Sequence, residues 1–440
     1  MHNLAIALHL KGYQVTGSDD EIFEPSKSRL KKYGLLPDET GWDPERISSD
    51  LDGVILGMHA RKGNPELEKA RELDLAIYSF PEFLYRHARD KKRIVIGGSH
   101  GKTTITAMLM HIFREMGMDF DYLVGAQLEG FDIMVRLSDS APIMIFEGDE
   151  YLTSALDPRP KFHLYKPNIA LISGIAWDHI NVFPTFENYL EQFRIFIDKI
   201  EDDGYLVYYQ DDEYLREIAG NAKESVRKIP YGIPGHKVDD GGLSVLAGQE
   251  EYKLKVFGDH NLANLQGALA VCDCLKISRH LALKEMESFK GAAKRLELIF
   301  SSGNTSFFLD FAHAPSKLLA TVNALKMQFP ERRLLACIEL HTYSSLNKTF
   351  LENYRGTLDR ADQPVVYYNP HALKLKKLPP IEPLDIRNAF KNPNLLVFND
   401  SAALEQYLLS QNWENTNLLM MSSGNFDGMD LDKLGEAISG

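Results

Sequence analysis

Cysteine is scarce in this sequence, which has three among its 440 residues. Cys272, Cys274 and Cys337 are too few and too unevenly spaced for a disulfide framework or a zinc site. Because Cys272 and Cys274 lie in an apolar helical stretch, we interpret them as buried free thiols. This pattern argues against a disulfide-stapled scaffold and against a cysteine-based zinc site.

Long apolar runs are absent as well, and so are basic stretches with interleaved aromatic residues. No run approaches the ~20 apolar residues that span a bilayer, and Met1 is not followed by a signal-peptide pattern. We therefore predict a cytoplasmic protein with no membrane insertion. The net charge of −13 argues against nucleic-acid binding, so an anionic nucleotide would need a local basic pocket. The sequence does not indicate an oligomeric state.

The overall composition is that of an ordinary globular protein, with 44% hydrophobic and 25% charged residues. A chain of this length is too long to fold around one compact core. At a typical size of about 150 residues per domain, we expect roughly three domains. Strands alternate with helices throughout, which predicts an α/β fold with mostly parallel sheets. We place the domains at residues 1–92, 93–295 and 296–440.

The central domain opens with the segment Gly98-Ser99-His100-Gly101-Lys102-Thr103-Thr104, which follows an apolar run and precedes an amphipathic helix. Glycines let backbone N–H groups surround an anion, Lys102 adds a charge, and the Thr103 hydroxyl can bind Mg²⁺. The common pattern would require glycine where Ile96 stands. The alternative is a glycine-rich turn with a solvated lysine, but the strand-to-helix context favours a phosphate-binding loop for ATP or GTP.

Acidic residues follow the next apolar run. Residues 143–146 lead directly into Glu147, and a carboxylate at a strand end beside a phosphate loop commonly holds Mg²⁺. We therefore predict that Glu147 binds Mg²⁺. Asp149 and Glu150 can also be solvated loop charges, and this is the interpretation we favour for Glu150.

Two further segments carry candidate ligands. Asp178-His179 follows the apolar run 168–173, and His179 is either structural or a ligand of metal or phosphate. Asn261 and Asn264 lie three residues apart, hence on one helix face. Amide side chains suit an adenine edge, although helix capping by Asp259 or Asn261 is an equally good explanation.

The first domain begins unusually. A doubly wound unit opens with a strand and a glycine loop before its first helix, yet here Met1 already stands at a helix predicted from Asn3 to Leu10. We therefore expect a first strand and glycine loop to be missing, and a first substrate to bind poorly. Further strands are predicted at 14–17 and 53–57.

In the last domain the strand pattern restarts, with apolar runs at 307–309, 333–338, 364–368 and 417–421. Each run ends in polar residues, and such ends gather at the ligand crevice of a parallel sheet. We therefore predict a second, smaller α/β domain of Rossmann-like type.

Together these motifs resemble the Mur ligase family, whose members are ATP-dependent amide-bond ligases of bacterial cell-wall assembly. The resemblance is carried, in order, by 98–104, Asp178-His179, His260-Asn261-x-x-Asn264 and Asp310-Phe311-Ala312-His313-x-Pro315. It implies a Rossmann-like N-terminal domain, a central P-loop ATPase domain and a Rossmann-like C-terminal domain. It also implies roles for single residues: Lys102 at the β and γ phosphates, Thr103 and Glu147 at one Mg²⁺, His179 at a second Mg²⁺, Asn261 and Asn264 at adenine, Arg295 at the phosphates, and Asp310 at the ribose.

The resemblance also bears on substrates. Residues 149–151, 162–165, 339–343 and 422–428 most resemble members that join UDP-N-acetylmuramate to L-alanyl-γ-D-glutamyl-meso-diaminopimelate through an acyl phosphate. Alanine-adding members, the alternative, usually have Pro-His-x-Tyr-Thr-Arg where this chain has Leu340–Ser345. A nucleotide-binding protein without ligase activity is a further alternative, but it would be expected to have lost Lys102 or the strand-end acid. Candidate substrate residues are Ser18, Asp19 and Asn64, which can also be ordinary turn residues, and His313, His341, Ser423 and Asn425.

Two features depart from the family pattern. The absent first strand and glycine loop are one of them, and they bear on UDP-sugar binding. Several members carry a carbamylated lysine about fifteen residues after the histidine, whereas this chain reads Glu191-Gln192-Phe193-Arg194 there. A different ligand must therefore complete the second metal site.

Overall fold

The computed structural model describes residues 1–177, 182–239 and 242–438. The chain divides into two compact units. The first unit comprises Met1–Ile175, Phe186–Gly232 and Gly267–Glu285, and the second comprises Ala176–Thr185, Ile233–Gln266 and Met286–Gly440. The domain boundaries at 92 and 295 stay predictions.

The described helices are α1 His2–Leu10, α2 Ser26–Lys32, α3 Pro65–Glu72, α4 Phe80–Ala88, α5 Lys102–Glu115, α6 Phe186–Asp198, α7 Glu213–Gly220, α8 Asp259–Cys274, α9 Arg279–Met286, α10 Pro315–Gln328, α11 Pro370–Leu375, α12 Pro383–Phe390, α13 Ser401–Leu409 and α14 Leu431–Ile438. The described strands are β1 Val54–Leu56, β2 Ile77–Ser79, β3 Lys92–Gly97, β4 Asp121–Leu123, β5 Val135–Arg136, β6 Ile143–Glu147, β7 Ile169–Ile172, β8 Tyr205–Tyr209, β9 Arg227–Tyr231, β10 His236–Asp239, β11 Gly242–Ala247, β12 Glu250–Leu254, β13 Glu297–Ser302, β14 Thr305–Asp310, β15 Arg333–Leu340, β16 Gln363–Tyr368, β17 Leu396–Phe398 and β18 Thr416–Met421. None of these helices combines the length and apolar composition that crossing a bilayer requires.

The first unit is built on a seven-stranded sheet of order β5-β4-β6-β3-β7-β8-β9. All its pairs are parallel except β4 with β5. Ile94, Val95 and Ile96 of the central strand β3 are fully buried, because parallel sheets are covered on both faces. The carboxyl ends of β3, β6 and β7 therefore meet at one edge, beside the start of α5.

The first 92 residues contain a parallel two-stranded sheet of β1 and β2. The strand predicted at 53–57 is confirmed as β1. The strand predicted at 14–17 is wrong, since these residues join no ladder in the described part of the chain. Alternating side chains alone do not make a strand, because its N–H and C=O groups need a neighbouring strand as partner.

Asp121, at the start of β4, ties the end of α4 to the seven-stranded sheet. Its buried carboxylate accepts hydrogen bonds from His87 Nε2 at 3.0 Å and from Lys91 Nζ at 2.6 Å. Burial opposes the charge, but the hydrogen bonds from His87 and Lys91 outweigh it, so the pKa of Asp121 is lowered.

The second unit contains a six-stranded sheet of order β13-β14-β18-β15-β16-β17, parallel except for the β13–β14 pair. Apolar clusters cover both faces of this sheet. The runs at 307–309, 333–338, 364–368 and 417–421 are confirmed as strands. The antiparallel sheet β10-β11-β12 was not predicted. The mostly parallel α/β class is confirmed. All three cysteines are free, but only Cys272 and Cys337 are buried, so the prediction of a buried thiol is wrong for Cys274, which lies partly exposed at the last residue of α8.

Candidate active site

The glycine-rich loop joins β3 to α5 within the first unit. Gly98 has a φ of +123° and Gly101 a φ of +71°, which L side chains rarely adopt. A Cβ on Gly98 would also overlap Ser173. Gly101 is the N-cap residue of α5, whose N-terminal N–H groups are suited to an anion. The predicted strand–loop–helix context is therefore present in the structure.

Lys102 is the first residue of α5, and its ammonium group is held within this loop. Its Nζ donates to the Gly98 carbonyl at 2.6 Å and to Glu150 Oε2 at 2.6 Å. The side chain is only 16% exposed. Burial opposes the charge, but neighbouring carboxylates, Glu150 first, outweigh it and raise the pKa of Lys102. The alternative of a solvated lysine is therefore wrong.

Glu150, the partner of Lys102, is buried, with a side chain that is only 1% exposed. The interpretation of Glu150 as a solvated loop charge is wrong. The physical reason is the ion pair, since a buried ammonium group needs a buried counter-ion. Glu147, Asp149 and Glu150 lie within four residues, and the sequence alone does not indicate which of them faces Lys102.

Tyr189 of α6 extends this network on the other side of Glu150. Its hydroxyl donates to Glu150 Oε1 at 3.1 Å and lies 2.8 Å from Ser99 Oγ. Both Tyr189 and Ser99 are buried. Sequence reasoning missed Tyr189, because it shares an apolar helix face with Phe193 and is indistinguishable there from a core residue.

Thr103 and Glu147 form a hydrogen-bonded pair beside the phosphate loop. Thr103 Oγ1 donates to Glu147 Oε1 at 2.7 Å, and the Gly125 N–H donates to Glu147 Oε2 at 2.7 Å. Hydroxyl and carboxylate oxygens are the hard ligands that Mg²⁺ prefers, so the pair could hold this ion. Gly125 was also missed: a Cβ there would lie 2.7 Å from Glu147 Oε1.

The other residues predicted at the phosphate loop and after β7 are His100, Thr104, Asp178 and His179. The His100 carbonyl accepts a hydrogen bond from Ser173 Oγ. Thr104 is buried in the first turn of α5. Asp178 and His179 lie outside the described residues, so the metal role of His179 stays a prediction.

The predicted adenine residues lie in the first turns of α8, in the second unit. Asn261 and Asn264 are both buried. Asn261 Nδ2 donates to the Phe257 carbonyl at 2.9 Å, a bond to the segment just before the helix. Burial lowers the pKa of the neighbouring His260 to about 4, so its imidazole is neutral at pH 7. Adenine contact stays a prediction.

Asp310, at the end of β14, has clear structural partners. Its buried carboxylate accepts the N–H groups of Leu296 and Ala312, each at 2.6 Å. Burial raises its pKa. The Arg295 guanidinium lies 4.6 Å from the centroid of the Phe311 ring. Asp310 thus holds two backbone segments together, and the ribose and phosphate roles of these residues stay predictions.

The predicted substrate residues of the first domain also have protein partners. Ser18 Oγ donates to Glu66 Oε1 at 2.7 Å, and Asp19 Oδ1 lies 2.6 Å from His59 Nδ1. Asn64 is the N-cap residue of α3, and its side chain accepts a backbone N–H from the first turn. The capping contact agrees with the turn-residue alternative for Asn64.

Three of the predicted substrate residues of the last domain, His341, Ser423 and Asn425, follow the ends of β15 and β18. Glu339, which was not among the predicted site residues, is buried there and accepts the Phe426 N–H at 2.9 Å and the Ser422 hydroxyl. Burial would raise its pKa, but hydrogen bonds, His341 first and then Ser422, lower it. His341 Nδ1 lies 3.5 Å from Glu339 Oε1.

The other members of this set differ in exposure. Ser423 is half-buried and Asn425 is exposed, in the loop that follows β18. His313 Nδ1 lies 2.9 Å from the Phe311 carbonyl. Direct substrate contact by these residues stays a prediction.

A glycine loop between a parallel strand and a helix, with a lysine, a threonine and a strand-end carboxylate converging on it, defines a protein of the P-loop type. The sequence matches two family models, the Mur ligase middle domain over residues 96–272 and the Mur ligase family catalytic domain over residues 1–92. The chain belongs to the Mur ligase family.

Named relatives and solved structures agree with this assignment. The chain is 29% identical to a UDP-N-acetylmuramate–L-alanyl-γ-D-glutamyl-meso-2,6-diaminoheptandioate ligase of Haemophilus influenzae, over 99% of this chain and 96% of that protein. It is 32% identical to a UDP-N-acetylmuramate–L-alanine ligase of Clostridium kluyveri, over 82% of this chain and 79% of that protein. The crystal structure of a murein peptide ligase from Psychrobacter arcticus has the same fold, with a TM-score of 0.66 at 23% identity, over 99% of this chain and 96% of that one.

Proposed function

We propose that this protein is an ATP-dependent ligase that joins UDP-N-acetylmuramate to the tripeptide L-alanyl-γ-D-glutamyl-meso-diaminopimelate. The observation that carries the proposal is the convergence of Lys102, Thr103 and Glu147 at the phosphate loop of a Mur ligase. The near full-length similarity to a tripeptide ligase supports the choice of substrates. Cytoplasmic location remains a prediction.

The reaction needs activation, because a carboxylate is a poor acyl donor. In the proposed chemistry the muramoyl carboxylate attacks the γ-phosphorus of ATP, which forms an acyl phosphate and releases ADP. The amine of the tripeptide then attacks the acyl carbon, and inorganic phosphate leaves as the amide bond forms. Catalysis of this kind depends on positioning and on charge stabilisation, since ATP and both joined substrates are anionic.

The residues of the first unit have distinct parts in this scheme. Lys102 would hold the β and γ phosphates, and the N–H groups of the loop and of α5 would bind their oxygens. Thr103 and Glu147 would hold Mg²⁺, which neutralises phosphate charge when bound. His179 is the candidate for a second Mg²⁺.

Phosphate release with ATP, Mg²⁺ and UDP-N-acetylmuramate tests the proposal. We expect release to be stimulated by the tripeptide and not by L-alanine. Mass spectrometry of the product should show UDP-N-acetylmuramate extended by three residues. Nucleotide binding without release under either condition would contradict ligase activity and favour a nucleotide-binding protein that retains the fold.

Addition of L-alanine is the second candidate, favoured by the 32% identity to the Clostridium kluyveri enzyme. Against it stands the segment Leu340–Ser345, which lacks the arginine usual in alanine-adding members. Release stimulated by L-alanine alone would establish this alternative.

A further inference from the structure

A continuous chain of side chains lies behind the phosphate loop, all of it within the first unit. Lys102 Nζ lies 2.6 Å from Glu150 Oε2, Tyr189 OH lies 3.1 Å from Glu150 Oε1, and Ser99 Oγ lies 2.8 Å from Tyr189 OH. Glu150 and Tyr189 lie outside the glycine-rich motif. The chain thus links the phosphate loop, the segment after β6 and helix α6.

The lysine at the end of this chain retains one donor. An ammonium group has three N–H bonds. Among the described residues, Lys102 donates one to the Gly98 carbonyl and one to Glu150. The third is available for a phosphate oxygen, in a direction set by the first two.

The carboxylate that sets this direction is itself fixed. Glu150 is buried, with Lys102 at one oxygen and Tyr189 at the other. A carboxylate next to a phosphate-binding lysine has an electrostatic cost, because it neutralises part of the charge that attracts the phosphate and repels the phosphate itself. Such a group weakens nucleotide binding while it holds the ammonium in place.

We propose that Glu150 is a positioning residue for Lys102, with Tyr189 fixing the Glu150 carboxylate. The arrangement lowers the affinity for the nucleotide and holds the Lys102 ammonium in the position in which it stabilises the transferring phosphoryl group. This rests on the proposed function, since it takes the anion at the loop to be ATP. Interactions that favour the transition state over the bound ground state raise turnover, whereas tighter ground-state binding does not.

The test compares ADP affinity and turnover in Glu150→Gln, which keeps the shape and removes the charge. We expect ADP, measured by calorimetry with Mg²⁺ present, to bind at least about fivefold tighter, because one nearby negative charge is gone. We expect kcat for phosphate release to fall at least about tenfold, because the lysine is no longer fixed. Damage to the fold would instead weaken ADP binding, so the opposite signs identify a positioning role.

Asp149→Asn is the matched control. Asp149 is one residue away, but its side chain is 38% exposed and pairs with Lys161 at 2.5 Å. We expect its ADP affinity to change less than that of Glu150→Gln and its kcat to stay within about twofold of the parent, because its carboxylate is paired with Lys161 and does not fix the direction of Lys102. An equal gain in ADP affinity in Glu150→Gln and Asp149→Asn would overturn the proposal, since the loss of one negative charge would then explain both. Unchanged or weaker ADP binding by Glu150→Gln would also overturn it.

Tyr189→Phe keeps the proposal testable if Glu150→Gln does not fold, because it removes a single hydroxyl. We expect kcat to fall at least about threefold, because the Glu150 carboxylate is less firmly held, and ADP affinity to stay near that of the parent, because the carboxylate charge remains. A parental kcat would overturn the proposal that Tyr189 fixes Glu150 as a positioning group. Failure of the proposed function is distinguishable: it shows as no tripeptide-stimulated release by the parent, whereas the ADP comparison still decides the role of Glu150.

Discussion

Replacement of Lys102 by methionine should damage both activity and stability, for two separable reasons. The side chains of Lys102 and Glu150 are 16% and 1% exposed, so the change leaves a buried carboxylate without its counter-ion. Removing one partner of such a pair costs about 3–5 kcal/mol. At roughly 2–4 °C per kcal/mol for a domain of ordinary size, the melting temperature should fall by about 6–20 °C.

Activity should fall for a different reason. Lys102→Met removes the charge proposed to stabilise the transferring phosphoryl group, and losing one such donor typically costs at least ~10² in turnover. The assay is tripeptide-stimulated phosphate release at saturating ATP.

The double variant Lys102→Met/Glu150→Gln separates the two effects. It removes the charge of both members of the pair, so most of the loss in melting temperature should be recovered, whereas turnover should stay low. Residues in direct contact commonly show such coupling. The reasoning is refuted if Lys102→Met melts within about 2 °C of the parent, or if the double variant is no more stable than the single one.

Three further predictions concern neighbouring features. Gly125→Ala should lower phosphate release at least about tenfold, because its Cβ would stand 2.7 Å from Glu147 Oε1 and displace that carboxylate. The control Gly220→Ala has open space around the new Cβ and should be neutral. Equal activities of the two variants would contradict this prediction. Glu147→Gln should raise the Mg²⁺ concentration needed for half-maximal release and lower the maximum rate at least ~10², and an Mg²⁺ titration that matches the parent would exclude it as a ligand. Asp121→Asn should lower stability by about 3 kcal/mol at pH 7. Because the pKa of Asp121 is lowered in the folded state, its stabilisation is present above the unfolded value of about 3.9 and is lost as pH falls through the folded value. The difference in melting temperature between parent and variant should therefore begin to shrink below about pH 4 and vanish once pH is below the folded pKa of Asp121, and a constant difference would contradict this.

The contiguous features of the site were predictable from the sequence. The apolar run of β3, the glycines at 98 and 101 and Lys102 lie within ten residues, and their function depends on local backbone geometry. Glu147 was predictable for a related reason, because it ends an apolar strand, and strand ends in a parallel sheet converge on the ligand edge.

Features that depend on distant contacts were not predictable. Glu150 and Tyr189 meet across 39 positions of sequence, and Gly125 reaches Glu147 across 22. Nothing in the immediate neighbourhood of Gly125 distinguishes it from an ordinary turn glycine. The strand predicted at 14–17 failed in the same way, because a strand is defined by a partner that its own residues do not specify.

The sequence by itself determined the α/β class, the phosphate loop and the Mur ligase resemblance, since each is written in contiguous residues or in the order of motifs. Only the tertiary structure decided which acidic residue neutralises Lys102 and which one meets Thr103. Asp149 and Glu150 are adjacent and chemically alike, yet Asp149 is half-exposed and paired with Lys161, whereas Glu150 is buried and paired with Lys102. The physical reason is that burial and pairing follow from the packing of β3, β6 and α6, which brings together side chains that are far apart in the chain.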